Sequence, residues 1–168
     1  MWCEYLYVIL AYVDMLKKSE KRFEIYIPVI IATTSFIYSF VSCNYMLQLD
    51  FIKEIIPFIE TLLGFTLAAL TLLLSNNRIE EKTRNFPMER KIRGKTITMY
   101  QFLVALYSYL IICETILCIL YYVATLFPIS VNVIIATIVN SFFILGVFHV
   151  LFSTLRIASN MYHITIRK

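Results

Sequence analysis

The chain has 168 residues, 60% hydrophobic and 15% charged, with a net charge of +4. No stretch is both long and polar enough to build a soluble core of its own, so a single membrane domain is the limit. The positive balance does not by itself point to nucleic acid, because the charges are distributed as membrane topology requires.

Residues 1–23 form the first unit. The apolar run Tyr5–Val13 is too short to cross about 30 Å of hydrocarbon. Glu4, Tyr7, Ala11, Asp14, Lys18 and Lys21 recur three or four apart, which on a helix makes one narrow stripe on an otherwise apolar surface. This pattern predicts an interfacial helix beside the bundle, or a plug beneath a pore. The rest of the chain, 24–168, reads as an all-α transmembrane domain of four helices arranged as two hairpins. The spans are Glu24–Leu47, Phe51–Ser75, Thr98–Leu126 and Ile129–Leu155, each with the roughly 20 residues a crossing needs. Pro28 falls in the first turn of the first span and Pro57 early in the second, where a missing N–H is tolerated. The first hairpin turns near Leu49–Asp50 and the second at Phe127-Pro128.

Between the second and third spans lies the polar loop 76–97. Pro87 and Gly94 argue against one continuous helix there, while the Arg78/Glu81/Lys82 and Glu89/Arg90/Arg93 spacings permit short helical pieces. The loop holds seven of the fifteen Lys and Arg residues: Arg78, Lys82, Arg84, Arg90, Lys91, Arg93 and Lys95. Four more precede the first span and three follow the fourth. Only Lys53 lies on the opposite side, so the positive-inside rule places both termini and this loop in the cytoplasm. Seven charges beside a membrane fix topology and attract anionic lipid. They also suit a cytosolic protein or a nucleotide or oligonucleotide signal, although Phe86 is the only aromatic residue available for base stacking.

Ionisable groups inside spans are functional candidates. Glu114 lies deepest and, counting back across its hairpin, comes level with Asn140 and Ser141; Glu60 comes level with Tyr38 and Ser39. Each acid is either a neutral hydrogen-bonding bridge between helices or a pore-lining carboxylate. His149, near the end of the fourth span, either bonds a neighbouring carbonyl or senses pH. Gly64 and Ala68 form a small-xxx-small pair that lets another helix approach. Cys3, Cys43, Cys113 and Cys118 show no ligand spacing, and two histidines without partner acids or thiols make no metal site. No nucleotide, hydrolase or protease motif is present, so neither an enzyme nor a cofactor is expected.

The stretch ETLLGFTLAALTLLLSNN, residues 60–77, followed by the basic loop, resembles small bacterial membrane proteins encoded beside antiviral defence genes, such as the membrane effectors of Hailong-type and Kiwa-type systems. The resemblance covers the bundle and its topology, and no individual residue carries over. It implies an inner-membrane oligomer that damages or monitors the membrane during phage infection, working with a cytosolic partner. Four helices cannot enclose a water path and stay packed, so a conducting form needs several copies, for instance a tetramer, around an axis. The expected function is a homo-oligomeric gated pore in the lipid bilayer. The competing expectation is a non-conducting anchor that recruits a cytosolic effector through its basic loop.

Overall fold

The computed structural model describes residues 2–42, 46–75, 86–126 and 133–166. Helix α1 spans Trp2–Met15. A short helix α2, Lys18–Lys21, runs through a π-helical turn, Arg22–Tyr26, into α3, Ile27–Ser42. Helix α4 is Met46–Ser75, strands β1 and β2 are Pro87–Ile92 and Lys95–Thr98, α5 is Met99–Leu126 and α6 is Val133–Ile166. Four helical stretches are long and apolar enough to cross a membrane: Lys18–Ser42, Asp50–Ser75, Met99–Leu126 and Ile134–Met161. At 14 residues α1 reaches only about 21 Å, short of the hydrocarbon thickness.

The four spans differ in role. In α5 and α6, 39% and 33% of the most apolar window is buried within the chain, against 17% in each of the other two. Helices α5 and α6 therefore form the centre, packed on each other, with α4 seated chiefly on α5 and α3 on α6. Helix periodicity accounts for the seam. Ile52, Ile56 and Ile59 of α4, Phe102, Leu106, Leu110 and Leu117 of α5, and Phe143, Val147 and Val150 of α6 recur three, four or seven apart, and all are buried. Outward-facing Ile30, Phe40, Phe65, Leu72, Ile119 and Phe142 remain exposed, the surface a hydrocarbon solvent requires.

Several boundaries differ from those read in the sequence. The first turn does not fall at Leu49–Asp50, because α3 ends at Ser42 and α4 is already helical from Met46. Met, Leu and Gln are good helix formers and carry α4 back through Asp50. Pro57 consequently lies farther inside the helix than the early position read in the sequence, eleven residues after Met46. The turn at Phe127-Pro128 lies outside the described residues. Helix α6 continues beyond Leu155 to Ile166, so Arg156 is part of the helix and not of a tail.

The helical pieces expected around Glu89, Arg90 and Arg93 are overturned: Pro87–Thr98 is an antiparallel β-hairpin pairing Ile92 with Lys95 and Lys91 with Thr96. Its two-residue loop places Arg93 and Gly94 at φ of 50° and 79°, the conformation that a type I′ turn demands and that Gly94 accommodates without strain. A register irregularity between Pro87 and Lys91 breaks the alternation of the strand, and Arg90 in this stretch is turned into the protein. A capping box then starts α5: Gln101 N–H donates to Thr98 Oγ1 at 3.3 Å, and Thr98 N–H donates to Gln101 Oε1 at 3.0 Å. The hairpin is thus tied to the first turn of a membrane-length helix.

Candidate functional site

Two polar clusters are built into this apolar frame. The larger lies at the end of the bundle where α1, the π turn, β1 and the C-terminal half of α6 meet, here termed the charged end. The π turn directs Glu24 inward, where it is 1% exposed. Tyr12 of α1 donates its hydroxyl to Glu24 Oε2 and lies 3.0 Å from Ser153 Oγ of α6. Arg156 Nε of α6 stands 2.6 Å from Glu24 Oε1. Burial, with Glu24 reinforcing and Arg156 opposing, pushes the Tyr12 phenol well above its ordinary value, so it acts as a neutral donor.

A second ion pair joins this one. Arg90 Nη1 and Nη2 reach Glu20 Oε2 and Oε1 at 2.8 and 2.5 Å, a two-pronged contact, and Nη1 also donates to Met15 O at 2.8 Å. Glu20 is held in turn by Lys17 N–H at 2.8 Å and by Arg156 Nη1 at 3.4 Å. Arg90 packs over the Phe102 ring at 4.4 Å, Arg156 over Tyr12 at 5.2 Å and Arg93 over Tyr7 at 4.3 Å. Two acids and two arginines therefore lock α1, the α2–π segment, β1 and α6 together. Arg156 Nη2 and Asn160 Nδ2 are buried donors without a partner among the described residues.

His149 extends the cluster into the bundle. Its Nδ1 lies 2.7 Å from the Glu24 carbonyl, which can only accept, so Nδ1 carries a hydrogen. Nε2 then accepts from the Tyr109 hydroxyl at 2.6 Å when the ring is neutral. The Tyr109 ring stacks on Tyr12 with centroids 3.5 Å apart, so the network continues through α5. Of the two sequence expectations for His149, the carbonyl bond is the one the geometry displays.

The smaller cluster lies within the spans. Glu114 is 0% exposed, enclosed inside a single chain on the buried face of α5. Its hydrogen-bond partner among the described residues is Thr66 of α4, whose Oγ1 is 3.2 Å from Glu114 Oε1. Glu114 Oε2 and Asn140 Nδ2 are buried without a hydrogen-bond partner among the described residues. Ser141 bonds its own helix at Thr137 O, 2.8 Å away, and lines an apolar pocket between α3 and α6. Glu60 accepts from the Tyr122 hydroxyl of α5, not from Tyr38, which is exposed, or Ser39. Gly64 and Ala68 are exposed, and a Cβ added to Gly64 meets nothing within 4 Å.

Of the basic loop, Lys91, Arg93 and Lys95 are exposed on the hairpin while Arg90 is buried. Arg78, Lys82 and Arg84 lie outside the described residues. Sequence reasoning missed Tyr12, Glu20, Glu24, Thr66 and Arg156. The available signals were an acid, Glu24, at the start of an apolar run and a base, Arg156, at the end of another. Among the described residues no group of His, Cys, Asp and Glu has metal-binding geometry. No family model matches the chain, and neither the curated proteins nor the solved structures contain a significant match. What the fold defines is a helical protein with four helices fit to cross a membrane and a charged layer bonded across one end.

Proposed function

We propose that the chain is a multi-pass protein of the bacterial inner membrane that assembles from several copies into a gated ion-conducting pore, with both termini and the 76–97 segment in the cytoplasm. The observation that carries this reading is the charged end. Holding a short helix and a hairpin by buried ion pairs costs desolvation that apolar packing avoids, so such a lock suits an element that must hold one position and then release. The interior of one copy is filled by Ile56, Ile59, Phe102, Leu106, Val147 and Val150, which leaves conduction to an axis between copies. The open small-residue face of α4 at Thr61, Gly64, Ala68 and Thr71 offers a surface for that contact. In this reading the charged end holds the closed state, and a cytosolic partner or signal releases it. The antiviral setting rests on the resemblance of residues 60–77 alone.

Electrical recording in planar bilayers tests the proposal. The protein lacking residues 1–16, which removes Tyr12 and Met15, is expected to conduct more than the full chain. Absence of current in both forms at confirmed insertion removes the pore. That outcome favours the second reading, a non-conducting anchor, for which the exposed Lys91, Arg93 and Lys95 of the hairpin supply a docking surface towards an acidic cytosolic partner.

A further inference from the structure

We propose that Glu114 and Thr66 form a proton-binding site inside the membrane, in which Glu114 carries the proton and donates it to the Thr66 hydroxyl oxygen. The assignment follows from counting hydrogens. Thr66 Oγ1 lies 2.8 Å from the Leu62 carbonyl one turn back and 3.2 Å from Glu114 Oε1. A hydroxyl has a single hydrogen to donate. The shorter contact goes to an atom that can only accept, and Thr33, Thr34, Thr61, Thr71 and Thr154 all donate to the same carbonyl position. With its hydrogen on Leu62 O, Thr66 presents a lone pair to Glu114, and the hydrogen between them belongs to Glu114 Oε1.

The alternative is an ionised Glu114 that is 0% exposed and, among the described residues, served by one neutral hydroxyl with no partner on Oε2. Withdrawing a carboxylate from water is strongly unfavourable even after relaxation. No cation stands within ion-pair reach of Glu114 among the described residues. Its titratable neighbours are Cys113 and Cys118 on α5, and on α4 the nearest is Glu60, which is held by Tyr122. On α6, His149 and Arg156 are engaged at the charged end, as is Tyr12 of α1. None of these groups offers an anion compensation.

The arrangement is a two-position relay. In the neutral state Glu114 O–H donates to Thr66 Oγ1, and Thr66 O–H donates to Leu62 O. When the proton leaves for water, the Thr66 hydroxyl turns from Leu62 O to the carboxylate. Both residues are buried, so release requires the α4–α5 seam to open, and the site couples proton binding to that seam. The site depends on α4 and α5 lying in hydrocarbon, as proposed above, but not on conduction.

Infrared difference spectroscopy of the full protein in phosphatidylcholine vesicles reads the proton directly. At neutral pH the wild type is expected to show a protonated-carboxyl C=O band that is missing in Glu114→Gln. In Thr66→Val that band is expected to persist and to move to higher frequency, because the O–H loses its acceptor. Absence of a Glu114-dependent band at neutral pH overturns the site, and so does a band that Thr66→Val leaves unmoved. Dicyclohexylcarbodiimide, which attacks protonated carboxyls in apolar surroundings, supplies a second readout if a variant fails to fold. Wild-type protein is expected to gain the adduct mass on the peptide containing Glu114, and an unmodified Glu114 under conditions that label Glu60 counts against the proposal. A conductance failure with the band intact sinks the pore and leaves the proton site standing.

Discussion

Glu24 and Arg156 stand in an unforgiving environment, because each neutralises the other where burial shields them from water. Replacing one member leaves a buried charge, at a cost of about 3–5 kcal/mol, whereas replacing both with apolar residues is often near neutral. Arg156→Met is therefore expected to lower stability in detergent unfolding by that amount, and Glu24→Met with Arg156→Met to recover most of it. A double variant as unstable as the single one would show that Glu24 serves as the acceptor of the Tyr12 hydroxyl rather than in charge balance. Packing sets the other residue-scale limit. A Cβ on Gly146 would lie 2.6 Å from Leu117 Cδ2, so α5 and α6 approach closely at this point. Gly146→Ala should cost about 1–3 kcal/mol by overpacking, less whatever the leucine recovers by rotating. A shortened neighbour, Leu117→Val, should relieve it, and an unchanged melting midpoint in Gly146→Ala would mean that Leu117 moves freely.

Among the elements, the hairpin carries the most information, because its turn and its irregular strand place Arg90 under Glu20. Gly94 at φ 79° has open space around it, so Gly94→Ala introduces backbone strain and no clash, about 1–2 kcal/mol. The strain should loosen the hairpin specifically, seen as faster protease cleavage between residues 86 and 98 with the spans intact; equal cleavage rates would place the turn's stability elsewhere. The same element shows where sequence reading stops. Pro87 and Gly94 argued against a continuous helix, but Glu89, Arg90 and Arg93 fit a helical ion-pair spacing as well as a strand, and only tertiary contact with Glu20 and Phe102 decides between them. The four spans were legible because a 20-residue apolar run has few other uses. Their partners were not. Counting back across short loops paired Glu60 with Tyr38 and Glu114 with Asn140, whereas the dominant seam joins α4 to α5 across the long connection, bringing Thr66 to Glu114 and Tyr122 to Glu60. Glu24 escaped notice because a π turn, which periodicity does not encode, swings it inward.

For the molecule as a whole, sidedness and assembly are separable. In the proposed topology fourteen of fifteen Lys and Arg residues share one side, so Cys substitutions at Ser19 and Asn77 should both resist an impermeant thiol reagent applied to intact cells, and labelling at both would invert the topology. Assembly is tested on the outer face of α4. Among the described residues nothing lies within 4 Å of a Cβ at Gly64, and Ala68 one turn on is exposed, so a side chain added there starts into open space. In lipid, close approach of two helices depends on such small residues, because lipid tails already satisfy apolar surface and only tight packing favours the protein contact. Gly64→Leu therefore separates two outcomes. If copies meet along this face, the variant should retain its melting midpoint in detergent but shift in native mass from the oligomer to the monomer, and lose conductance with it. If the wild type is itself monomeric in the same measurement, the pore has no axis to form around. If Gly64→Leu stays oligomeric, the copies meet on another face, and α4 presents its small residues to lipid.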